Sequence, residues 1–389
     1  MTVYLYTHDL FPGREQLMPW RTLIEVAAYL EKTGKYTAVI LSSESDPRDK
    51  TRTFRGISIL SVPKPGKGDN ILPKHTPEDI LIWPVTWRTR NTSFSVTRDF
   101  RGKKIAYFPG GVYSLRNIAG AFGSLPFNTM LPYLADSLTP PRQLAARLKA
   151  NGFDHAVAFS GYTAETLASA GWPKEKTTVI LPGFDNFNRP EPDTAWFTKF
   201  ALEGRKYMLF MGSPAAIRGS SLLLKAFDRF ASREHDACLV CLLREDPGSN
   251  KNDFDKTLAA MQFPDRVKTY WGKMTQGELR PFIENARAVI LPFLLIPSEI
   301  PVTFFEVLSM GIPVITFENG GTSRYIRPAA VICKPSSTSS LEEGIRSLWD
   351  GNDVWQQKKN NALQLICEHP NWEQMSQLWE KTIAECSLS

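Results

Sequence analysis

Short apolar runs alternate along the chain with longer stretches whose apolar residues recur every three to four positions. In the first half, six apolar runs are predicted to be β-strands: residues 3–6, 37–41, 80–83, 104–108, 155–159 and 178–181. Between the first two runs, Leu23, Ala27 and Leu30 share one face of a helix predicted over 20–32, and Gly34 follows as a stop signal. This order of elements predicts an α/β fold with parallel strands.

The second half repeats the pattern. Strands are predicted over residues 207–211, 237–243, 267–271, 288–292 and 313–317. Between the halves, residues 181–192 are rich in Pro, Gly and Asn, which is typical of a linker. We therefore predict two doubly wound, Rossmann-like domains, over residues 1–185 and 190–369.

Composition and charge narrow the class of protein. Of the 389 residues, 42% are hydrophobic and 22% charged, as in soluble globular proteins. The sequence opens in a predicted strand without a basic or long apolar leader, so we expect no signal peptide, no membrane span and a cytoplasmic protein. The net charge of +6 permits an anionic partner without requiring one.

Cysteine usage fits a reducing compartment, because the five cysteines are an odd and scattered set. Cys238 and Cys241 form a C-x-x-C pattern inside an apolar run. Packing in a strand is favoured there over redox or metal chemistry, since no second ligand pair is visible.

The first stretch that indicates chemistry follows the strand predicted over 207–211. Small residues such as Gly212, Ser213 and Gly219 let backbone amides approach an anion, and Arg218 adds a forked cationic donor before a helix predicted over 222–230. The stretch predicts a phosphate site. A plain strand-to-helix turn with a surface arginine is the alternative.

The second stretch spans residues 297–315. Pro301 suits the first turn of a helix, and the free amides near Val302 and Thr303 would then face an anion. Glu306 lies one turn further on in apolar surroundings, where a carboxylate needs partners such as the two hydroxyls of a ribose.

At this point the sequence resembles the donor-binding signature of the group-one glycosyltransferases, a large retaining class with the GT-B fold. Residues 305–314, Phe-Glu-Val-Leu-Ser-Met-Gly-Ile-Pro-Val, match the second half of that signature. The resemblance implies that Glu306 holds the ribose and that Glu299 approaches hydroxyls of the transferred sugar. It also implies that the intervening backbone, from Ile300 to Thr303, contacts phosphate and sugar.

Further matches extend the resemblance over most of the chain. Residues 159–165, 179–185 and 320–324 are similar to other family motifs. The turn containing Gly272, Lys273 and Met274 resembles the one that lies against the nucleobase. The loop at Gly13 occupies the place of a glycine-rich turn that faces the donor phosphate. For this loop and for the Gly110-Gly111 turn, contact with substrate and a purely structural role are both left open.

Two departures from the family pattern bear on chemistry. Six residues separate Glu299 from Glu306 where the family usually has seven, so the turn between them is one residue shorter. Ser213 stands where the family carries an arginine, so one of two usual cations is missing. Arg14 or Arg244 could replace it, although each is also readily explained as a surface residue.

The resemblance implies a mechanism and a domain arrangement. The two domains would face a cleft, with the terminal helix of 370–389 crossing back onto the N-terminal domain, which presents the acceptor. Apolar residues recur at helical spacing in that helix: Trp372, Met375, Leu378, Trp379 and Ile383. Arg218 and the amides of Ser213 and Gly219 would stabilise the leaving diphosphate, with no metal or other cofactor required.

The partner of the transferred sugar is left open. Basic and aromatic residues crowd 83–104, which predicts contact with a lipid-linked or anionic acceptor at a membrane surface, or simply a solvated loop. Nucleic acid is not expected, since no recognition motif accompanies the charge. The other functions kept open are an epimerase, a phosphorylase, a pseudo-glycosyltransferase and a non-catalytic scaffold that binds nucleotide sugar weakly or not at all.

Overall fold

Two parallel sheets organise the chain. The computed structural model describes residues 1–15, 17–44, 51–65, 71–85, 96–111, 115–138, 140–185, 190–245, 251–295 and 298–388. The N-terminal sheet has the order β3-β4-β2-β1-β5-β6-β7-β8, and within it only the β3–β4 pair is antiparallel. Its strands are β1 Thr2–His8, β2 Thr37–Glu44, β3 Thr51–Phe54, β4 Ile57–Pro63, β5 Ile80–Pro84, β6 Lys103–Phe108, β7 His155–Ala158 and β8 Thr177–Val179.

The C-terminal sheet is parallel throughout its described strands. Its order is β11-β10-β9-β12-β13-β14, which reverses direction between β9 and β12. Such a switch point opens a crevice beyond the carboxyl ends of the two strands, where ligands bind in open α/β sheets. The strands are β9 Met208–Gly212, β10 Leu239–Leu243, β11 Val267–Trp271, β12 Ala288–Ile290, β13 Val314–Phe317 and β14 Ala330–Cys333.

Helices cover both sheets. In the first half of the chain they are α1 Trp20–Thr33, α2 Leu115–Ala121, α3 Phe127–Ser137, α4 Pro141–Ala150 and α5 Gly161–Ser169. In the second half they are α6 Ala195–Lys199, α7 Ser220–Ala231, α8 Lys251–Ala259, α9 Gln276–Glu284, α10 Val302–Leu308, α11 Gly320–Ile326, α12 Thr338–Asp350, α13 Asn352–Glu368 and α14 Trp372–Leu388. None of the described helices is both long and apolar enough to cross a bilayer.

The predicted α/β fold with two doubly wound sheets is confirmed, and the predicted strands are present with ends shifted by a few residues. Three strands were not predicted: β3, β4 and β14. β3 and β14 have only four residues each and carry little periodic signal. In β4 the buried Ile57 and Ile59 alternate with the exposed Ser58, a strand signal that the sequence analysis missed. The exact domain boundaries stay predictions, and residues 186–189 of the linker lie outside the described residues.

The terminal helix crosses back as expected. Met375, Trp379 and Ile383 of α14 are fully buried in the apolar core formed with α1 and the N-terminal sheet. The expectation for Leu378 was wrong, because its side chain is 41% exposed. Cys386 lies on the buried face instead.

The α2–α3 segment leaves the N-terminal half and packs on the C-terminal domain. Ile118, Leu125, Met130 and Tyr133 belong to the same apolar core as residues of α7 and α12. At Gly120 the helix approaches Pro335 so closely that an added Cβ would lie 2.9 Å from the Pro335 ring. This segment therefore links the N-terminal half of the chain to the core of the C-terminal domain.

Candidate functional site

Two adjoining cavities lie at the switch point of the C-terminal sheet. The first, of about 450 Å³, is lined mainly by the C-terminal domain and is called the inner cavity. The second, of about 570 Å³, lies between the two domains and is called the cleft cavity. Both cavities are lined by the same five side chains: Arg21, Arg218, Arg244, Thr303 and Glu306.

The loop after β9 brings Arg218 to the cavities. A short 3₁₀ turn, Ala216–Arg218, ends at Gly219, whose φ of +70° begins α7. Gly212 has a φ of +113°, and a Cβ there would lie 2.7 Å from Nη1 of Arg218. The absence of side chains at both glycines lets the loop close tightly and sets the guanidinium against the strand end.

Glu306 forms the acidic part of the shared wall. Pro301 immediately precedes α10, and Glu306 lies just beyond the first turn with solvent reaching part of its side chain from the cavity. The pKa of Glu306 is raised to about 7: burial is the largest cause, nearby Asp185 adds to it, and Arg21 and Arg244 partly offset it. A half-buried carboxylate among arginines is suited to accepting hydrogen bonds from ligand hydroxyls.

Arg21 reaches the site from the N-terminal domain and was missed by the sequence analysis. Its guanidinium nitrogens Nη1 and Nη2 donate to Asp185 at 2.5 and 2.8 Å, and its plane lies 4.6 Å from the Trp372 ring. A signal was present, since Arg21 falls in the first turn of α1. A cation at that end is disfavoured by the helix dipole and so indicates an anionic partner.

Arg14 and Arg244, the two arginines considered as replacements for the cation missing at Ser213, lie in different places. Arg244 follows β10 and lines both cavities. Arg14 donates to the Asp9 carbonyl at 3.2 Å and lies over the rings of Phe11 and Trp20, and it lines neither cavity. Arg244 is thus the one positioned to act on a ligand.

The turn predicted to meet a nucleobase lines the inner cavity. Gly272, Lys273 and Met274 line it together with the apolar side chains of Leu242 and Leu279. The inner cavity therefore combines apolar side chains with the carboxylate of Glu306, a lining that suits a base and its ribose.

Glu299 lies elsewhere. Its side chain is 2% exposed, and its carboxylate accepts hydrogen bonds from Ser160 Oγ at 2.7 Å and from Thr163 Oγ1 at 2.9 and 3.0 Å. Its amide donates to the Pro109 carbonyl at 3.0 Å. Every one of these partners belongs to the N-terminal domain, so Glu299 joins the two domains, and it does not line either cavity.

Other predicted site residues are distributed around the cavities. Pro301, Val302 and Thr303 line the cleft cavity. Ser213 and Ile300 are buried in the C-terminal domain. Gly13 lines neither cavity, and its amide donates to Glu15 at 2.6 Å. The ligand roles predicted for all of these residues stay predictions.

Comparison with solved structures extends the description of the fold. A glycosyltransferase from Rickettsia africae is 16% identical with a TM-score of 0.66, covering 99% of this chain and 98% of that one. The Anabaena protein HepE in complex with UDP is 13% identical with a TM-score of 0.70, covering 99% and 100%. The α,α-trehalose 6-phosphate synthase from Burkholderia multivorans is 8% identical with a TM-score of 0.69, covering 100% and 99%.

The chain therefore has the GT-B fold, two Rossmann-like domains that face a cleft. Residues 193–365, which lie in the C-terminal half of the chain, match the family model of glycosyl transferases group 1. The C-terminal half is thus similar to that family, and the whole chain shares its fold with solved glycosyltransferases. No curated protein matches it in sequence.

Proposed function

We propose that the protein transfers a sugar from a nucleotide-diphosphate sugar, with UDP and GDP the favoured nucleotides, to a hydroxyl group with retention of anomeric configuration. The observation that carries this proposal is the meeting of Arg21, Arg218 and Arg244 with Glu306 in two joined cavities. Several cations suit a diphosphate, and a carboxylate suits the hydroxyls of a ribose. The UDP and UDP-glucose named in the HepE structures support a donor of this kind.

The cavities divide the donor into three parts. The base lies against the turn at Gly272 to Met274, the ribose reaches Glu306, and the diphosphate lies near Arg218. The sugar then points into the cleft cavity, where Leu17, Trp20 and Pro109 of the N-terminal domain form the opposite wall. An acceptor presented from that wall meets the sugar at its anomeric carbon.

The arginines stabilise the departing diphosphate. As the bond between the anomeric carbon and the phosphate oxygen breaks, negative charge grows on the diphosphate beside Arg218 and Arg244. The acceptor hydroxyl attacks from the same face, and its proton passes to the departing phosphate. No protein nucleophile takes part, so the chemistry depends on charge stabilisation and on positioning.

Metal independence is part of the proposal and has a direct test. We expect transfer to continue when EDTA is present, because the arginines carry the charge that a divalent ion would otherwise supply. Loss of activity in EDTA, restored by Mg²⁺ or Mn²⁺, would contradict this part alone.

The acceptor is proposed only as a hydroxyl-bearing small molecule, glycan or lipid-linked compound. Of the segment 83–104, which was predicted to contact a membrane, residues 86–95 lie outside the described residues. Trp83 itself is fully buried against Tyr6, with ring centroids 3.8 Å apart, so it contributes to the core and not to a membrane surface.

The remaining alternatives differ in what they release. An epimerase or a phosphorylase gives a rearranged nucleotide sugar or a sugar phosphate, and a pseudo-glycosyltransferase joins an activated cyclitol. A scaffold releases nothing. Product analysis after incubation with donor and acceptor separates an epimerase, a phosphorylase and a scaffold from a transferase, which releases free nucleoside diphosphate. A pseudo-glycosyltransferase releases the same nucleoside diphosphate and is distinguished by the cyclitol in its coupled product.

The first experiment is a thermal-shift and donor-hydrolysis panel with UDP-, GDP-, ADP- and dTDP-sugars. It is run on the wild type, on Arg218→Ala, and on Arg229→Ala as a control, since Arg229 is an exposed arginine of α7 outside both cavities. We expect one nucleotide to stabilise the wild type and the control, with nucleotide release that is lost in Arg218→Ala. No response to any nucleotide sugar would overturn the proposal.

A further inference from the structure

A patch of exposed apolar side chains covers the outer surface of the α2–α3 segment. Among the described residues, twelve large apolar side chains are exposed, and five of them fall within residues 115–138. These five are 50% to 68% exposed and form what we call the α2–α3 patch: Leu115, Phe122, Phe127, Leu131 and Leu138. Clustered exposure of this kind marks interaction surfaces, whereas single exposed apolar residues are ordinary.

The patch is separate from the face that packs inside the protein. On α3, Met130 and Tyr133 turn toward the apolar core of the C-terminal domain. Phe127 and Leu131, one turn apart, lie on another face of the same helix, and Leu138 continues that face just beyond its end. The helix therefore has one apolar face packed inside the protein and another exposed to solvent.

Charge around the patch indicates an anionic partner. Residues 115–150 contain four basic side chains and one acidic side chain. Arg142 and Lys149 of α4 are exposed, and so is Lys334, whose neighbour Pro335 contacts α2. Apolar side chains that insert between acyl chains, flanked by basic residues that meet phosphate headgroups, are the combination that binds helices to the surface of an anionic bilayer.

We propose that the α2–α3 patch docks this protein on the surface of an anionic lipid bilayer. The segment lies flat in the headgroup region without crossing the bilayer. This docking stands independently of the nucleotide-sugar activity, since it depends on residues outside both cavities.

Vesicle flotation tests the proposal. The full-length protein is mixed with vesicles of phosphatidylcholine alone or of phosphatidylcholine with phosphatidylglycerol, at low and high salt. The test variant is Phe122→Ser/Phe127→Ser/Leu131→Ser. The matched control is Val354→Ser/Leu363→Ser/Leu388→Ser, which removes exposed apolar side chains from α13 and α14.

We expect the wild type and the control to float with the anionic vesicles, and the test variant to lose about tenfold or more in partitioning. Charge reversal in the variant Arg142→Glu/Lys149→Glu is expected to lower binding to anionic vesicles by about fivefold or more. High salt is expected to lower the binding of the wild type as well, because it screens the attraction. Circular dichroism and the thermal shift with nucleotide sugar confirm that each variant is folded.

Three results would overturn the proposal: no flotation of the wild type, equal flotation of wild type and test variant, or equal losses in test variant and control. Sedimentation supplies a further check. A concentration-dependent dimer that the test variant alone abolishes, without vesicle binding, would assign the patch to a second copy of the chain and overturn the lipid assignment.

Discussion

Glu299 and Glu306 belong to one sequence motif and have opposite surroundings. Burial raises the pKa of each carboxyl group to about 7, but Glu306 borders two cavities with three arginines around them, while Glu299 is enclosed by the hydroxyls of Ser160 and Thr163. One carboxylate faces a ligand site and the other joins two domains. Similar burial and similar pKa therefore do not by themselves identify a ligand-binding group.

The shortened turn is the sequence difference that accompanies this divergence. With six residues between the two glutamates, Glu299 lies before α10 and contacts the N-terminal domain, while Glu306 lies inside the helix. The cation site differs in the same way: Ser213 is buried, and positive charge comes from Arg244 and, across the cleft, from Arg21. Substitutions of Arg218, Arg21, Glu306 and Glu299 test these assignments.

The largest effect is expected from Arg218→Ala, because Arg218 is placed to stabilise charge on the departing diphosphate. Removal of such a donor costs about 3 kcal/mol in the barrier, or a factor of about 10² to 10³ in kcat. Arg218→Lys, which keeps the charge but not the fork, recovers part of the loss. Equal kcat in wild type and Arg218→Ala would show that Arg218 does not stabilise the departing diphosphate.

Arg21→Ala is expected to lower kcat/KM for the donor by about 10- to 100-fold, the effect of losing one charge-assisted hydrogen bond. Asp185→Asn separates ligand binding from packing, since it releases Arg21 from its carboxylate partner and leaves the cation in the cavity. Donor affinity is then retained or improved. If both variants lose stability equally and neither changes the kinetics, Arg21 acts only as a structural ion pair.

Glu306→Gln is expected to raise KM for the donor about tenfold, because an amide accepts ribose hydrogen bonds less strongly than a carboxylate. The pH profile identifies the group. With a pKa of about 7, Glu306 is ionised above neutral pH and protonated below it, so wild-type KM rises as pH falls from 8 to 6. A pH dependence of KM that survives in Glu306→Gln would assign the titration to another group.

Glu299→Gln is expected to have the smallest kinetic effect, within about twofold in kcat, because its carboxylate faces hydroxyls and not the cavities. Its effect lies in stability. The folded pKa of about 7 exceeds the ordinary 4.5, so the native protein binds more protons between those values and wild-type stability falls as pH rises through that window.

Replacing Glu299 with a neutral amide removes this fall in stability with rising pH. Urea unfolding should therefore show Glu299→Gln gaining up to about 3 kcal/mol over the wild type at pH 8 and little at pH 5. Glu299→Ala is the control that deletes the hydrogen bonds and should be destabilised at both pH values. A large fall in kcat for Glu299→Gln would instead support the sugar contact predicted from the motif.

Most of the architecture could be predicted from the sequence, and particular residues show where prediction ends. The helix over α1 was predicted with its buried face, and the wall residues Arg218, Glu306 and Gly272 to Met274 were named from two motifs. Arg21 was missed because it lies nearly two hundred residues from Arg218 along the chain, and no local pattern links them. Strands β3 and β14 were missed because pairing, not periodicity, stabilises them.

Local periodicity and turn chemistry predict the alternation of strands and helices, the doubly wound domains and the loops at the carboxyl ends of the strands. Which side chains meet depends instead on how the distant parts of the chain pack. The domains fold against each other through Glu299 and α14, and that packing brings Arg21 opposite Glu306, turns Leu378 to solvent and leaves the α2–α3 patch exposed. Contacts between distant segments depend on the summed packing of both domains, which no local stretch of sequence encodes.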